Sequence, residues 1–167
     1  AWLGEGAPRD DKVLTQAEID TLLENNVVAE EKLDGANVGF SLAPDGQLRA
    51  QNRGQYLIEP HVGQFSRLPA WVMQHGDSLR TVLEPHLIVF GEWCAARHSL
   101  DYATLPDWFM VFDVYDRQAE RFWSTRRRNE LAAKAGLITV PHLFTEKVTV
   151  EDVKDYVAAA TSRYRSG

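Results

Sequence analysis

The chain has 167 residues, 44% of them apolar and 25% charged, with a formal net charge of −6. That length fits one domain with a real core, the composition is that of an ordinary globular protein, and the acidic balance argues against a non-specific nucleic-acid coat, which holds its partner by positive charge. No apolar run approaches the roughly 20 residues of a membrane helix, the opening Ala1-Trp2-Leu3-Gly4 shows no signal segment, and the single Cys94 permits no internal disulfide, so no membrane partner and a reducing, cytoplasmic setting are expected.

In chain order, Thr15-Gln16-Ala17-Glu18 is a capping box that opens a first helix, with Ile19, Leu22 and Leu23 on one apolar face. Val27 to Leu33 reads as a strand. Val38, Phe40 and Leu42 alternate with small or polar residues, the pattern of a half-buried strand. Ala43-Pro44-Asp45-Gly46 is a turn, and Leu48 and Ala50 lie on the returning strand. A second helix runs from about Leu68 to Leu83, starting near Pro69. The runs Leu87-Ile88-Val89-Phe90 and Trp108 to Tyr115 are nearly continuous and apolar, which predicts central strands covered on both faces.

A third helix begins after Ser124 or Thr125 and ends at Gly136. Its start carries the densest basic run, Arg126-Arg127-Arg128 with Arg121 nearby, which reads as a solvated helix start in preference to a local nucleic-acid patch. A fourth helix follows Thr149, with Val153, Tyr156, Val157 and Ala160 on one side. The elements describe an α+β fold of mainly antiparallel strands flanked by helices. There are no repeats, and neither a G-x-G-x-x-G nor a G-x-x-x-x-G-K segment occurs, so Rossmann and P-loop phosphate sites are absent.

Four short segments carry chemistry. In Glu30-Glu31-Lys32-Leu33-Asp34-Gly35-Ala36-Asn37, a lysine ends a β-rich run just before an Asp-Gly turn. The turn is expected to need a residue without Cβ, because side chains disfavour positive φ. An ordinary hairpin needs no amide such as Asn37 directly after it. A lysine amine has a reference pKa of about 10.4 and becomes a nucleophile only with help from a nearby cation or from burial. In Gln51-Asn52-Arg53-Gly54, Arg53 is placed to grip a phosphate or to lie on the surface. Glu92 follows a buried strand in Phe90-Gly91-Glu92-Trp93, where a carboxylate needs a metal ion, a ribose hydroxyl or an internal salt bridge. In Phe109 to Asp116, alternation places Met110, Phe112 and Val114 on one face and Asp113 on the other. Phe112 is either core or a stacking surface for a base.

Taken together and in this order, these segments resemble the covalent nucleotidyltransferases of the ATP-dependent ligase and capping-enzyme superfamily, and within it the RNA-ligase-2-like family. The nucleophile motif is matched by Lys32, Leu33, Asp34, Gly35 and Asn37, the next motif by Arg53, the phenylalanine-glycine-glutamate motif by Phe90, Gly91 and Glu92, and the phenylalanine-aspartate motif by Phe112 and Asp113. Glu92 and Phe112 stand 20 positions apart, as suits that family. The resemblance spans about Val27 to Asp116. It implies an ATP-grasp-like ligase adenylation domain over residues 1–167. In that reading Lys32 is the catalytic nucleophile that takes AMP from ATP, with Mg²⁺ neutralising the triphosphate. Glu31 lies at the adenine edge, Phe112 stacks on adenine, and Asn37 and Arg53 hold phosphate oxygens. Glu92 contacts the ribose or a metal ion, and Asp34, Gly35 and Asp113 complete the nucleotide site. The implied partner is RNA with 5′-phosphate and 3′-hydroxyl ends.

The family's later motifs, glutamate-glycine-x-valine and lysine-x-lysine, do not occur in the chain. The expectation is therefore an adenylyltransferase domain incomplete at its C-terminus, which does not seal RNA by itself. A DNA ligase, a GTP-using capping enzyme and a non-catalytic module that binds nucleotide or RNA ends remain alternatives, with Asn37 and the Phe112-Asp113 pair favouring RNA ligase.

Overall fold

A computed structural model describes residues 13–96, 102 and 104–164. They fall into two compact units. The first holds the described residues up to Glu31 together with Pro141–Arg163, and the second those from Lys32 to Val140 together with Tyr164.

The first unit contains α1 (Gln16–Leu23), β1 (Val27–Glu30), β9 (His142–Glu146) and α4 (Val150–Ala159). Both helices begin as their sequences require. Thr15 and Glu18 form the expected capping box, and Thr149 forms a second with Asp152. Their apolar sides are less covered than helical spacing predicts: neither helix contains a buried residue, and Val157 is 61% exposed. β1 pairs antiparallel with β9. The predicted strand from Val27 to Leu33 stops at Glu30 instead. Its last link is Glu31 N–H donating to the Pro141 carbonyl at 2.9 Å. Pro141 has no N–H to return, so the ladder ends there.

The second unit is built on a sheet in the order β4 (Gln55–Tyr56), β3 (Leu48–Asn52), β2 (Ala36–Leu42), β5 (Leu87–Trp93), β6 (Phe109–Asp116), β7 (Arg121–Phe122). β8 (Ile138–Thr139) lies parallel beside β6, and the other pairs are antiparallel. Helices α2 (Leu68–Val82) and α3 (Thr125–Ala135) complete it. α3 ends at Gly136 in the left-handed conformation, φ 66°, as its sequence predicts.

Alternation gives the sheet two faces. Val38, Phe40, Val89, Trp93, Phe109, Val111 and Val114 join Trp71 and Leu79 of α2 and Leu131 of α3 in one buried core. On the opposite face Asn37 is exposed, and Phe90, Glu92, Phe112 and Asp113 are half-buried. β5 and β6 are central strands, but only one of their faces is fully covered.

The predicted alternation along β6 fails at one point. Phe90 is opposite Asp113 while Gly91 is opposite Val111, so Phe112 is an extra residue, a β-bulge. The bulge reverses the parity of the strand. Val114 therefore joins Phe109 and Val111 in the core, whereas Met110 and Phe112 belong to a smaller cluster with Leu33, Cys94 and Val140. Asp113, next to Val114, comes onto the same face as Phe112 rather than the opposite one.

Candidate active site

Lys32 is exposed and begins an extended loop, residues 32–35, that leads into β2. Three contacts hold this loop. Leu33 is buried in the smaller cluster. The Asp34 amide donates to the Tyr102 hydroxyl at 2.7 Å. The Gly35 amide donates to Glu92 Oε1 at 2.8 Å. The loop is thus fixed through its backbone amides, by Tyr102 on one side and Glu92 on the other.

Gly35 is needed, though not for a positive φ. A Cβ there would stand 2.5 Å from the Trp93 carbonyl oxygen and 3.1 Å from Cys94 Sγ. Glycine is required because β5 passes too close, and the atom in the way is backbone that cannot step aside.

Beyond the loop, Asn37 and Glu92 are register partners across β2 and β5, so the two side chains share the open face. One step further in, a Cβ on Gly39 would meet the Phe90 ring at 2.7 Å. The Phe90 ring therefore lies across Gly39 on this face, opposite Asp113. Arg53 stands at the tip of the β3–β4 hairpin. Asn52 pairs with Gln55, and the two residues between them, Arg53 (φ 47°) and Gly54 (φ 80°), both take positive φ, as a type I′ hairpin turn demands. The Asn52 side-chain amide donates to the Asn37 carbonyl at 2.6 Å, which ties the base of that hairpin to β2.

The structure thus gathers Lys32, Asp34, Gly35, Asn37 and Glu92 around one loop and strand pair. Phe112 and Asp113 sit on the same face of the sheet, with Arg53 at the hairpin that β2 anchors. Glu31 belongs to the other unit, where its carboxylate accepts from the Ser162 hydroxyl and from the Arg163 amide at 3.1 Å. Close to the loop, Cys94 has its thiol pushed up to about 12, first by burial and then by the charges of Glu92 and Asp34. The thiol is therefore neutral and unreactive near neutral pH.

Sequence reasoning did not find Tyr102 or Arg128, and it named Phe90 as part of a motif without giving it a place on the open face. Tyr102 lies far from Asp34 in the chain and no pattern links them. Phe90 was read as part of a buried run, although its position two before Glu92 on one strand places both on one face. Arg128 was read with Arg126 and Arg127 as solvated. Arg126 is indeed exposed beside Glu130, and Arg127 lies over the Trp123 ring, but Arg128 is only 3% exposed.

A model of the RNA ligase family matches residues 25–165, and the chain belongs to that family. Among curated proteins no match was found. Among solved structures, the chain is similar to a Naegleria gruberi RNA ligase with pyrophosphate, at 19% identity and a TM-score of 0.68, over 88% of this chain and 46% of that one. A mutant of a Naegleria gruberi RNA ligase with ATP and manganese is similar at 15% identity, TM-score 0.63, over 80% and 41%. An archaeal ATP-dependent RNA ligase is similar at 24% identity, TM-score 0.62, over 92% and 40%. The chain spans less than half the length of these proteins. At such identities the likeness establishes the α+β, mainly antiparallel fold. Among the described residues, no helix is long and apolar enough to cross a membrane.

Proposed function

We propose that this chain is the nucleotide-accepting part of an ATP-dependent RNA ligase, and that Lys32 takes AMP covalently before passing it to an RNA 5′-phosphate. One observation carries the reading: an exposed lysine begins a loop whose Asp34 and Gly35 amides are pinned by Tyr102 and Glu92. A nucleophile on a fixed loop, at the rim of a half-open polar sheet face, is the arrangement that covalent catalysis needs. The similar structures that carry ATP with manganese, or pyrophosphate, support it.

In this reading the Lys32 amine attacks the α-phosphorus of ATP and pyrophosphate leaves in line on the opposite side. Asn37 and Arg53 hold phosphate oxygens as charge develops on them. Phe112 stacks on adenine, and Asp113 and Glu92 border the nucleoside. The RNA 5′-phosphate then displaces Lys32 from the adenylate, and a 3′-hydroxyl displaces AMP to seal the strand.

The donor chemistry suits a hard divalent cation such as Mg²⁺. Among the described residues no group of three His, Cys, Asp or Glu could hold an ion, and Mg²⁺ commonly binds through one or two carboxylates together with substrate phosphates. Glu92, half-buried on the open face, can supply such a carboxylate. When bound, the cation neutralises triphosphate charge. The one free, buried cysteine fits a reducing cytoplasmic setting.

The test is incubation of the full-length protein with labelled ATP and, separately, labelled GTP, followed by denaturation. ATP should give a covalent protein label and GTP none. Labelling by GTP favours a capping-type enzyme. The absence of any label favours a binding module.

A further inference from the structure

The bulge that brings Phe112 onto the open face has an unusual support. β6 is paired along one edge with β5. Its other edge is shared by two short strands, β8 opposite Met110 and Val111 and β7 opposite Tyr115 and Asp116. On that edge the Val111 carbonyl accepts from Val140 N–H at 2.9 Å, and the Val114 carbonyl from Trp123 N–H at 2.8 Å. Two carbonyls three residues apart face one edge only because the bulge has inserted a residue between them. Phe112, the inserted residue, has no residue opposite it on any neighbouring strand.

A side chain takes the place of the missing strand. Arg128 Nη1, from the first turn of α3, donates to the Phe112 carbonyl at 2.7 Å. The same guanidinium donates from Nε and Nη2 to Asn129 Oδ1, at 3.0 and 2.8 Å. Those contacts set the plane of the fork and aim its remaining nitrogen at the bulged peptide. Burying a cation to 3% exposure is costly without such contacts, so a buried arginine aimed at one peptide of the candidate site suggests a purpose beyond filling space.

We infer that Arg128 is a positioning residue for nucleotide binding: it fixes the bulged peptide at Phe112, and through it the ring and Asp113, on the face where the nucleotide sits. The inference rests on the stacking role proposed for Phe112. Arg128 touches no substrate. Loss of its fork leaves the Phe112 peptide free to relax toward regular pairing, which swings the ring off the open face. Lysine keeps the charge but has one donor group on a flexible stem and cannot hold Asn129 and the peptide together.

The test is a double-mutant cycle on the full-length protein, scored as KM for ATP and maximal rate of covalent adenylation. Arg128→Lys should raise KM about tenfold with a maximal rate within about twofold of wild type, a split expected for lost ground-state positioning. In a Phe112→Ala background, Arg128→Lys should add less than about twofold, because the residue it positions is gone. Arg128→Gln is run in parallel, with melting followed for each variant and rates compared below the lowest melting temperature, so that one folded variant suffices. Equal KM effects of Arg128→Lys in both backgrounds, or none in either, overturn the inference while a raised KM in Phe112→Ala leaves the stacking role standing. A wild-type KM for Phe112→Ala removes the stacking role and the inference with it.

Discussion

The two faces of β2 and β5 share one backbone and behave as different materials. On the core face, Phe40 packs between Trp71, at 5.1 Å between ring centroids, and Phe109, at 5.0 Å. Trp71 in turn donates its indole N–H to Asp107 at 2.7 Å. Phe40, Trp71 and Phe109 are each at most 2% exposed. On the open face, one residue away along each strand, polar side chains engage main-chain amides or face solvent: Glu92 holds Gly35, and Asn37 is exposed. The rigid face acts as a floor against which the other can present chemistry at fixed geometry. Neighbouring substitutions should therefore fail in opposite ways, one in stability and the next in chemistry.

The largest effect should come from the rim of the open face. Lys32→Ala is expected to abolish covalent AMP while leaving the melting temperature within about a degree or two, since exposed residues contribute little to stability. Residual labelling at a normal level would place the nucleophile elsewhere. Across the sheet, Phe40→Ala should cost about 3–5 kcal/mol of stability by opening a cavity in the core. Denaturant unfolding measures it, and adenylation per folded molecule should stay close to wild type.

Gly35→Val tests the boundary between the faces. The new Cβ meets the Trp93 carbonyl, so the loop must move away from β5 and the hydrogen bond to Glu92 is lost. We expect a stability loss of about 1–3 kcal/mol from overpacking and a much larger fall in adenylation. Gly46→Ala is the control: no atom lies within 4 Å, and although its φ of 78° makes any Cβ costly to stability, the turn lies away from the loop and adenylation per folded molecule should stay intact. Equal behaviour of the two variants would show that the loop is not held as described. Phe112→Ala should weaken ATP use by about 1–3 kcal/mol, the range for base–aromatic stacking. A fall in melting temperature with unchanged ATP affinity would instead assign Phe112 to the packing of the smaller cluster.

These contrasts also explain what the sequence could reveal. Helix starts were legible at Thr15 and Thr149 because a capping box is local, with both partners within four residues. The grouping of Lys32, Asn37 and Glu92 was expected only from the order of motifs that resembles the RNA-ligase-2-like family, since no spacing within one segment links Glu92 to the other two. The bulge at Phe112 was not, since it is set by what lies beside β6 rather than by β6 itself. The same holds for Arg128, which looks like its solvated neighbours until β7, β8 and α3 leave it a peptide to bind. Gly35 was identified for the wrong reason: the sequence shows a glycine in a turn but not the strand that passes beside it.

The smallest expected effect concerns charge at the loop. The Cys94 thiol is pushed up to about 12, chiefly by burial and then by the negative charges of Glu92 and Asp34. It can therefore report on those carboxylates from within the protein. Glu92→Gln removes one charge without changing shape, so Cys94 should lose its proton at a lower pH, still above the unperturbed value because burial remains. The sign for stability follows from linkage. A thiol whose folded pKa lies above its unfolded one contributes stability that is fully present below the unfolded pKa, about 9.0 here, and is lost as pH rises through the folded value of about 12. That alkaline loss should be absent in Cys94→Ala and should be shallower in Glu92→Gln. Thiolate ultraviolet absorbance, titrated against the Cys94→Ala variant as a blank, follows the proton directly. If the titration of Cys94 is the same in Glu92→Gln as in wild type, the Glu92 carboxylate does not act on this loop by its charge, and its part in the site is reduced to the hydrogen bond with Gly35.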